Sequence, residues 1–390
     1  MLFSEIIGHN ELKNKLIETV NSGRISHTLL FYGQEGGESL SIAIAYAQYI
    51  ACSNKQKLKD DELIGDSCGQ CPSCKKYQNL AHPDLHFIFP VATTKEVNSK
   101  PTSADFINPF RQIVLDNKGY LTENEWYSFI GIENKQGRIS VDDANEINQI
   151  ASTTPYESPQ KVVIIWLAEK LYHAAAPKLL KTLEEPPQNT LFFLISYNPD
   201  QLLKTILSRT QMIKVSRHPE HKLKDYLADY FGLEGDRLEY VLKLSDGNFN
   251  QVFSLLENNQ TDSELLTDFR ELMLLCYGFQ IVKIKEKCNT LSGFGREKLK
   301  QFLSYGLRII RLCVMFETGQ SELIKATKLE EAFVSKFSSF VNRKNAQQFS
   351  EIIELAIKHI ERNGNSKIIL MDMSLQIATI FAKDKNKKGN

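Results

Sequence analysis

The stretch from Lys161 to Val215 constrains the fold of this chain more than any other. It contains two apolar runs of strand length, VVIIW and LFFLI, which are rich in β-branched and aromatic residues. A segment with helical spacing joins them and stops at Pro186 and Pro187. A crossover of this length requires parallel strands, and strands that are apolar throughout are typical of a parallel sheet covered on both faces. The sequence therefore predicts an α/β fold built on a parallel sheet.

The composition limits the classes of protein to which the chain can belong. Its 390 residues predict two or three domains, and 42% hydrophobic with 24% charged residues are typical of a soluble globular protein. No apolar run reaches the length of a membrane span and the first residues lack a signal-peptide pattern, so we expect a cytoplasmic protein without membrane partners. Lysine plus arginine and aspartate plus glutamate both number 47, so any contact with DNA must be local or shared with partner proteins.

A glycine-rich turn follows the strand HTLLFYG and precedes the helical pattern SLSIAIAYAQYIA. This order of strand, glycine loop and helix is that of a phosphate-binding P-loop. A P-loop needs a lysine to reach the β- and γ-phosphates and a serine or threonine to hold Mg²⁺. When the loop is aligned on Gly33 and Gly36, Ser39 and Leu40 occupy those two positions. Glu38 replaces a further glycine and adds negative charge where an anion would bind, so we expect no phosphate binding.

The end of the strand VVIIW is the place where a nucleotide-hydrolysing site would carry its metal-holding acids, the Walker B motif. Trp166 and Leu167 stand there instead. Glu169 is the nearest carboxylate, but it falls beyond the strand end, and we expect it to be a solvated residue of the following helix. The sequence thus predicts a degenerate nucleotide site without ATP bound and without hydrolysis by this chain.

Four of the seven cysteines fall in one window of the sequence: Cys52, Cys68, Cys71 and Cys74. The overlapping C-x-x-C steps of CGQCPSC let neighbouring thiolates converge on one tetrahedral ion, and four sulfur ligands leave no open position. The spacing therefore predicts a structural zinc site. Free thiols or a redox pair are the alternative, although a redox motif uses two cysteines. His82 or His86 could also replace Cys52 as the fourth ligand.

Several motifs together resemble one family of proteins. They are the decayed P-loop, the CGxCxxC insertion after its helix, His82-Pro83-Asp84, LLKTLEEPP, and Ser208-Arg209-Thr210 after the next strand and short helix. In this combination the chain resembles the delta-prime subunits of bacterial DNA polymerase III clamp loaders, which are AAA+ proteins. The resemblance covers roughly residues 1 to 260.

The resemblance implies a function and a set of partners. It implies a non-hydrolysing subunit of the DNA polymerase III holoenzyme that helps to load the sliding clamp on primed DNA during replication. The partners would be the gamma/tau and delta subunits of the loader, the sliding clamp and, through the complex, primer-template DNA.

The same resemblance assigns roles to two residues. Arg209 matches the arginine finger that acts in trans on the ATP site of a neighbouring subunit. The segment LSDGNFNQVFSLLEN resembles the lid helix of AAA+ proteins, in which Asn250 takes the place of the phosphate-sensing arginine. The alternative for Arg209 is a structural salt bridge to Glu184 or Glu185.

The resemblance also predicts the domain organisation. Residues 1–217 would form the AAA+ α/β domain, with a zinc module at 52–74 and a polar insertion at 92–137. Residues 218–262 would form a helical lid, and residues 263–390 an all-α collar domain that holds the subunits in a ring. The insertion is long for a connection inside a compact domain, and its aromatic residues predict short helices packed on the surface.

Two other functions compete with the first. One is an active AAA+ ATPase of the gamma/tau clamp-loader type with divergent motifs, which the missing P-loop lysine disfavours. The other is an independent zinc-dependent DNA-binding protein, which the zero net charge and the small number of arginines around the cysteines disfavour.

Overall fold

The computed structural model of the chain describes residues 1–58, 63–132, 135–245, 247–257, 261–294, 296–319, 326–362 and 364–388. The chain divides into two compact units. The N-terminal unit contains Met1–Glu234 and Ser245–Phe253, and the C-terminal unit contains Gly235–Leu244 and Ser254–Asn390. The division into three domains, with boundaries after residues 217 and 262, stays a prediction.

A five-stranded parallel sheet forms the centre of the N-terminal unit. In chain order, the described strands of this unit, including two outside the sheet, are β1 (Thr28–Gly33), β2 (Gln56–Lys57), β3 (Gly65–Asp66), β4 (Leu85–Ile88), β5 (Lys161–Trp166), β6 (Thr190–Ser196) and β7 (Gln211–Val215). The sheet has the order β4-β5-β6-β1-β7 with every pair parallel, while β2 and β3 form a separate antiparallel ribbon. The runs VVIIW and LFFLI are neighbours in it, with Val163 beside Phe192. The predicted α/β fold with a parallel sheet is confirmed.

Helices cover both faces of this sheet. The helices of the N-terminal unit up to residue 234 are α1 (Asn10–Asn21), α2 (Ser39–Ala51), α3 (Pro72–Gln78), α4 (Ile107–Asp116), α5 (Glu123–Phe129), α6 (Val141–Ser152), α7 (Ala176–Glu184), α8 (Lys204–Leu207) and α9 (Glu220–Phe231). Because successive strand residues point to opposite faces, Phe31 packs in one cluster with Ile44 of α2, while Leu30 packs in another with Ile147 of α6 and Leu179 of α7. This double cover explains why the strands are apolar throughout.

The insertion at 92–137 contains α4 and α5, in agreement with the predicted short helices, and its residues 133 and 134 lie outside the described part of the chain. The expectation that these helices only pack on the surface is wrong, because Phe110 and Trp126 are fully buried. Phe110 stacks on Phe89 with a centroid distance of 3.9 Å and lies 5.6 Å from the ring of Trp166. The insertion therefore completes the main core.

The C-terminal unit is built from helices in the residues that the structure describes. From α10 onward the helices are α10 (Gly235–Ser245), α11 (Phe249–Glu257), α12 (Thr261–Tyr277), α13 (Ile281–Ser292), α14 (Arg296–Glu317), α15 (Lys328–Phe337), α16 (Ala346–Glu361) and α17 (Ser366–Lys388). The apolar faces of α12 to α17 form one core, in which Cys276, Cys288 and Cys313 are buried, whereas the first turn of α11 belongs to the N-terminal unit. Across the described ranges, no helix has both the length and the apolar character needed to cross a membrane.

We predict that Phe110→Ala lowers the free energy of unfolding of the N-terminal unit by about 3–5 kcal/mol, because it leaves a cavity in the core. Phe129→Ala in the same insertion is the matched control: Phe129 is 45% exposed, and its loss should change that free energy by about 0.5 kcal/mol or less. The only two tryptophans of the chain, Trp126 and Trp166, lie in this unit, so urea unfolding followed by tryptophan fluorescence reports on it. Equal effects of the two substitutions would contradict the burial of Phe110.

Candidate functional site

An open cavity of about 720 Å³ lies at the carboxyl edge of the sheet. In doubly wound α/β folds this edge is where ligands bind. Charged residues of both signs line the cavity: Glu35, Glu123, Glu169, Lys170, Lys214 and Arg217. Its walls therefore present carboxylates as well as cations to any ligand.

The glycine loop between β1 and α2 is closely packed by the protein itself. A Cβ at Gly33 would lie 2.5 Å from the carbonyl oxygen of Val215, so glycine is required for the close approach of β7. Gly36 has a φ of +72°, and a Cβ there would lie 2.8 Å from the Cβ of Asn250. The two glycines that are typical of a phosphate loop thus have packing roles here.

Residues 117–125 of the insertion, which we name the covering segment, lie over this loop. The hydroxyl of Ser41 in α2 donates to the carbonyl oxygen of Lys118 at 2.9 Å. The backbone N–H of Glu123 donates to Oε1 of Glu35 at 2.8 Å. Two polar groups beside the loop thus find partners in the covering segment, whereas Oε1 of Gln34 and Oγ of Ser39 are buried without a hydrogen-bond partner among the described residues.

Asn250 of α11 holds the covering segment in place. Its Nδ2 group donates to the carbonyl oxygen of Tyr120 at 3.1 Å and to both carboxylate oxygens of Glu125 at 3.0 Å. Asn248 adds a contact to the loop, since its Nδ2 group donates to the carbonyl oxygen of Glu35 at 2.7 Å. The residue at the predicted sensor position therefore makes structural hydrogen bonds.

The four positions that were expected to lack nucleotide chemistry are buried in the core: Ser39, Leu40, Trp166 and Leu167. The indole Nε1 of Trp166 donates to the hydroxyl of Tyr197 at 3.1 Å, and that hydroxyl donates to the carbonyl oxygen of Leu121 at 3.2 Å. An aromatic pair linked to the covering segment thus fills the strand end where the acidic pair of a hydrolytic site would stand.

Glu169 does not behave as the sequence led us to expect. Its Oε1 accepts a hydrogen bond from the backbone N–H of Tyr197 at 3.1 Å, so the side chain turns back to the edge of the sheet. Burial raises the pKa of Glu169 above its usual value. The prediction of a solvated residue is wrong, because the short turn after β5 brings residue 169 back over the neighbouring strand end.

Glu38, at the start of α2, forms a buried cluster with His9 and His218. Nε2 of His9 lies 3.2 Å from Oε2 of Glu38, and Nε2 of His218 lies 2.9 Å from Oε1. Burial alone would raise the pKa of Glu38, but the hydrogen bonds and charges of His218 and His9 outweigh it and lower the pKa to about 2. Glu38 is therefore an ionised carboxylate inside the protein.

The four cysteines of the predicted zinc module lie together, with their sulfur atoms within 4.8 Å of one another. Cys52 follows α2, and Cys71 caps the N-terminus of α3, which contains Cys74. Backbone N–H groups point at the sulfurs: that of Cys71 donates to Sγ of Cys68 at 3.3 Å, and that of Cys74 to Sγ of Cys71 at 3.4 Å. This group of thiols could hold a metal ion.

The electrostatics of Cys71 suit a metal ligand. Burial would raise the pKa of its thiol, but hydrogen bonds from Cys74 and Ser53 outweigh burial and lower the pKa to about 6. Metal ions bind the thiolate form, so the depressed pKa of Cys71 favours binding at neutral pH, whereas burial raises the pKa of the Cys52 and Cys74 thiols.

The histidines that were considered as a fourth ligand have other surroundings. Nδ1 of His82 accepts a hydrogen bond from the backbone N–H of Asp84 at 3.1 Å, and its Nε2 lies 3.1 Å from Oε1 of Glu157. His86 lies on β4, away from the group of sulfurs that the structure brings together. The structure thus groups Cys52, and neither histidine, with Cys68, Cys71 and Cys74.

Arg209 lies just after α8 and contacts its own subunit. Its guanidinium forms an ion pair with Glu184 through Nη2, and Nη1 donates to the carbonyl oxygen of Thr205 at 2.7 Å and to Oγ of Ser208 at 3.1 Å. The side chain is 32% exposed. In this chain alone, Arg209 thus has the salt bridge that the sequence analysis gave as the alternative.

Sequence reasoning missed two features of this region. His9 and His218 gave no signal, because each is a single histidine far along the chain from Glu38. The covering segment was also missed, because the pattern of the insertion predicts helices but not the surface that they cover.

Comparisons with known proteins place these features in context. A family profile described as "DNA polymerase III, delta subunit" matches residues 8–219. The chain is 26% identical over 245 residues to DNA polymerase III subunit delta' of Escherichia coli (strain K12), which covers 63% of this chain and 59% of that protein. It is 25% identical over 257 residues to subunit delta' of Bacillus subtilis (strain 168), covering 65% and 61%. It is also 25% identical over 288 residues to subunit gamma of Buchnera aphidicola subsp. Acyrthosiphon pisum (strain APS), covering 71% and 65%. The matched part spans less than two thirds of each relative.

Proposed function

The chain belongs to the DNA polymerase III delta subunit family, and we propose that it acts in DNA replication as a non-hydrolysing, delta-prime-like subunit of the clamp loader. In this role it helps to load the sliding clamp on primed DNA. The observation that carries the proposal is the glycine loop, which lacks the P-loop lysine at Ser39 and lies under the covering segment. A chain with such a loop needs neighbouring subunits to supply ATP hydrolysis.

The proposed partners follow from this role. They are the gamma/tau and delta subunits, the sliding clamp and, through the complex, primer-template DNA. We assign the lid to residues 218–262 and the collar that holds the ring together to residues 263–390. The helical nature of the described residues in both ranges supports this assignment.

An active ATPase of the gamma/tau type is the second candidate function. The similarity to a gamma subunit favours it. Two observations argue against it. The apolar side chains of Trp166 and Leu167 cannot hold Mg²⁺. Asn250, at the predicted sensor position, donates a hydrogen bond to Glu125. Glu169 is the nearest carboxylate to the strand end, and a single acid beside a loop without lysine does not make a hydrolytic site.

We predict that the isolated chain neither hydrolyses ATP nor binds Mg·ATP at micromolar affinity, because it lacks the groups that neutralise the phosphates. Equilibrium binding of a fluorescent ATP analogue and release of phosphate are the measurements, with a gamma/tau subunit as the positive control. Ser39→Lys should not create activity, because Trp166 and Leu167 would still stand at the strand end. Turnover that disappears in Glu169→Gln would contradict the proposal and favour the second candidate.

We propose zinc as the ion of the cysteine cluster. Four sulfur ligands and no open position are typical of structural zinc, and neighbouring N–H groups stabilise the thiolates. The site would fix the turn between Cys52 and α3. It would have no part in nucleotide chemistry, because it offers no position for a substrate.

We predict that Cys71→Ser removes about one equivalent of zinc per chain, because loss of one thiolate opens a tight four-ligand site. Metal analysis of the purified proteins measures this difference. Ser73→Ala, in the same CPSC turn, is the matched control and should keep the full zinc content. Unchanged zinc in Cys71→Ser, with freely reactive thiols in the parent chain, would contradict the assignment.

We also propose that Arg209 acts in trans as an arginine finger. It follows the short helix after β6, and by family resemblance the end of this helix faces the ATP site of the next subunit. A guanidinium in such a position stabilises the charge that develops on the transferring phosphoryl group, with effects on the order of 10³ to 10⁵ in rate at one site. The pair with Glu184 does not oppose this role, because exposed ion pairs are worth only about 0–1 kcal/mol.

We predict that Arg209→Ala lowers the clamp- and DNA-stimulated ATPase of the reconstituted loader, and its rate of clamp loading, without preventing ring assembly. Arg209→Lys should also be impaired, because lysine keeps the charge but loses the planar fork. Glu184→Gln is the matched control: it breaks the same ion pair but leaves the guanidinium, so the ATPase should be unchanged. If Arg209 is only a structural partner, the ATPase will stay constant in all three variants while thermal stability shifts.

A further inference from the structure

The cluster of His9, Glu38 and His218 joins three separate segments of the N-terminal unit. His9 precedes α1, Glu38 precedes α2, and His218 follows β7. One ligand atom from each residue, two imidazole nitrogens and a carboxylate oxygen, lies within 4.8 Å of the others. The side chains are 10%, 4% and 3% exposed in that order. Three potential metal ligands thus lie together at an almost fully buried position.

The donor set is one that transition metals use. Two imidazoles and one carboxylate bind zinc at about 2.0–2.2 Å, which places neighbouring ligand atoms about 3.4 Å apart in a tetrahedral site. Here the nitrogen-to-oxygen distances are 3.2 Å for His9 and 2.9 Å for His218. Each imidazole nitrogen thus already lies within about 0.5 Å of the ligand spacing from one oxygen of the Glu38 carboxylate, His9 from Oε2 and His218 from Oε1.

Packing holds both imidazole rings in this arrangement. Gly8 has a φ of +66°, and a Cβ there would lie 2.6 Å from Cε1 of His218, so the ring occupies the space that a side chain would fill. His9 itself has a φ of +56°, an uncommon conformation that fixes the direction of its side chain. The ring of Phe249 meets His218 edge-on with a centroid distance of 5.1 Å. Ligands fixed in this way lose little freedom when an ion binds.

We propose that His9, Glu38 and His218 form a second metal site, which takes a divalent transition-metal ion of the zinc type. The carboxylate supplies the negative charge, and the two neutral imidazoles supply nitrogen ligands. The ion ties the N-terminal segment and the chain after β7 to the start of α2. This site is independent of the cysteine cluster and does not rest on the proposed role in clamp loading.

The competing arrangement is a cluster held by hydrogen bonds alone. In that case the imidazoles donate to the carboxylate, and the positive end of the α2 dipole favours the anion without any metal. The two arrangements differ in the number of metal ions per chain, which can be counted.

The test uses the full chain, stripped of metal, refilled with Zn²⁺ and freed of excess ion before metal analysis. We expect His218→Asn to hold about one equivalent less than the parent chain, as one site is lost. The matched control is His221→Asn, an exposed histidine of α9, which should keep the parent value. Refilling with Co²⁺ gives a second readout: His218→Asn should lose visible absorption of nitrogen- and oxygen-bound cobalt while it keeps the sulfur-to-cobalt charge-transfer bands.

Equal metal content in the parent chain and in folded His218→Asn would overturn the proposal and leave a hydrogen-bonded cluster only. Folding is checked by tryptophan fluorescence and circular dichroism. If His218→Asn does not fold, His9→Asn decides the question, because His9 lies at the edge of the cluster and is the more exposed of the two histidines. An unchanged count in that variant overturns the proposal in the same way.

Discussion

Helix α2 is buried at all thirteen of its positions, and much of the N-terminal unit follows from this constraint. Polar groups beside a helix without an exposed face need hydrogen-bond partners within the protein. In a nucleotide-binding protein the phosphates would supply such partners. Here Lys118 and Glu123 of the covering segment and Glu35 of the loop supply them. The covering segment thus packs against the region that carries the glycine loop and the start of α2.

The aromatic residues of the insertion pack against the end of β5. Trp166 extends the core from the end of β5 to Phe110, and it reaches the covering segment through Tyr197 and Leu121. An acidic residue at position 166 would be a buried charge among aromatic rings, which is strongly unfavourable. The packing of the insertion and the apolar strand end thus depend on each other. A single substitution of Trp166 or Leu167 by an acidic residue would place a carboxylate in this buried core.

The sequence predicted the parts of this structure that depend on local patterns. The apolar runs VVIIW and LFFLI predicted the parallel strands, and the spacing of the four cysteines predicted their grouping, since each signal lies within one short stretch of the sequence. The cluster around Glu38 could not be predicted, because its histidines lie 29 and 180 residues away along the chain. Glu169 was misjudged for a similar reason: its partner Tyr197 directly follows the neighbouring strand β6. Contacts made by tertiary packing leave little trace in a single sequence.

The surroundings of Arg209 bear on the role proposed for it at a neighbouring subunit. Its pair with Glu184 joins two side chains that are 32% and 41% exposed, so solvent screens the attraction and the pair adds little to stability. The hydrogen bonds to Thr205 and Ser208 come from Nη1 and hold the guanidinium at the end of α8. A phosphoryl group on an adjacent subunit carries more charge than one carboxylate and can replace Glu184 at Nη2 without disturbing these bonds. The weak pair with Glu184 is therefore compatible with the proposed role, because exchanging this partner would cost little stability.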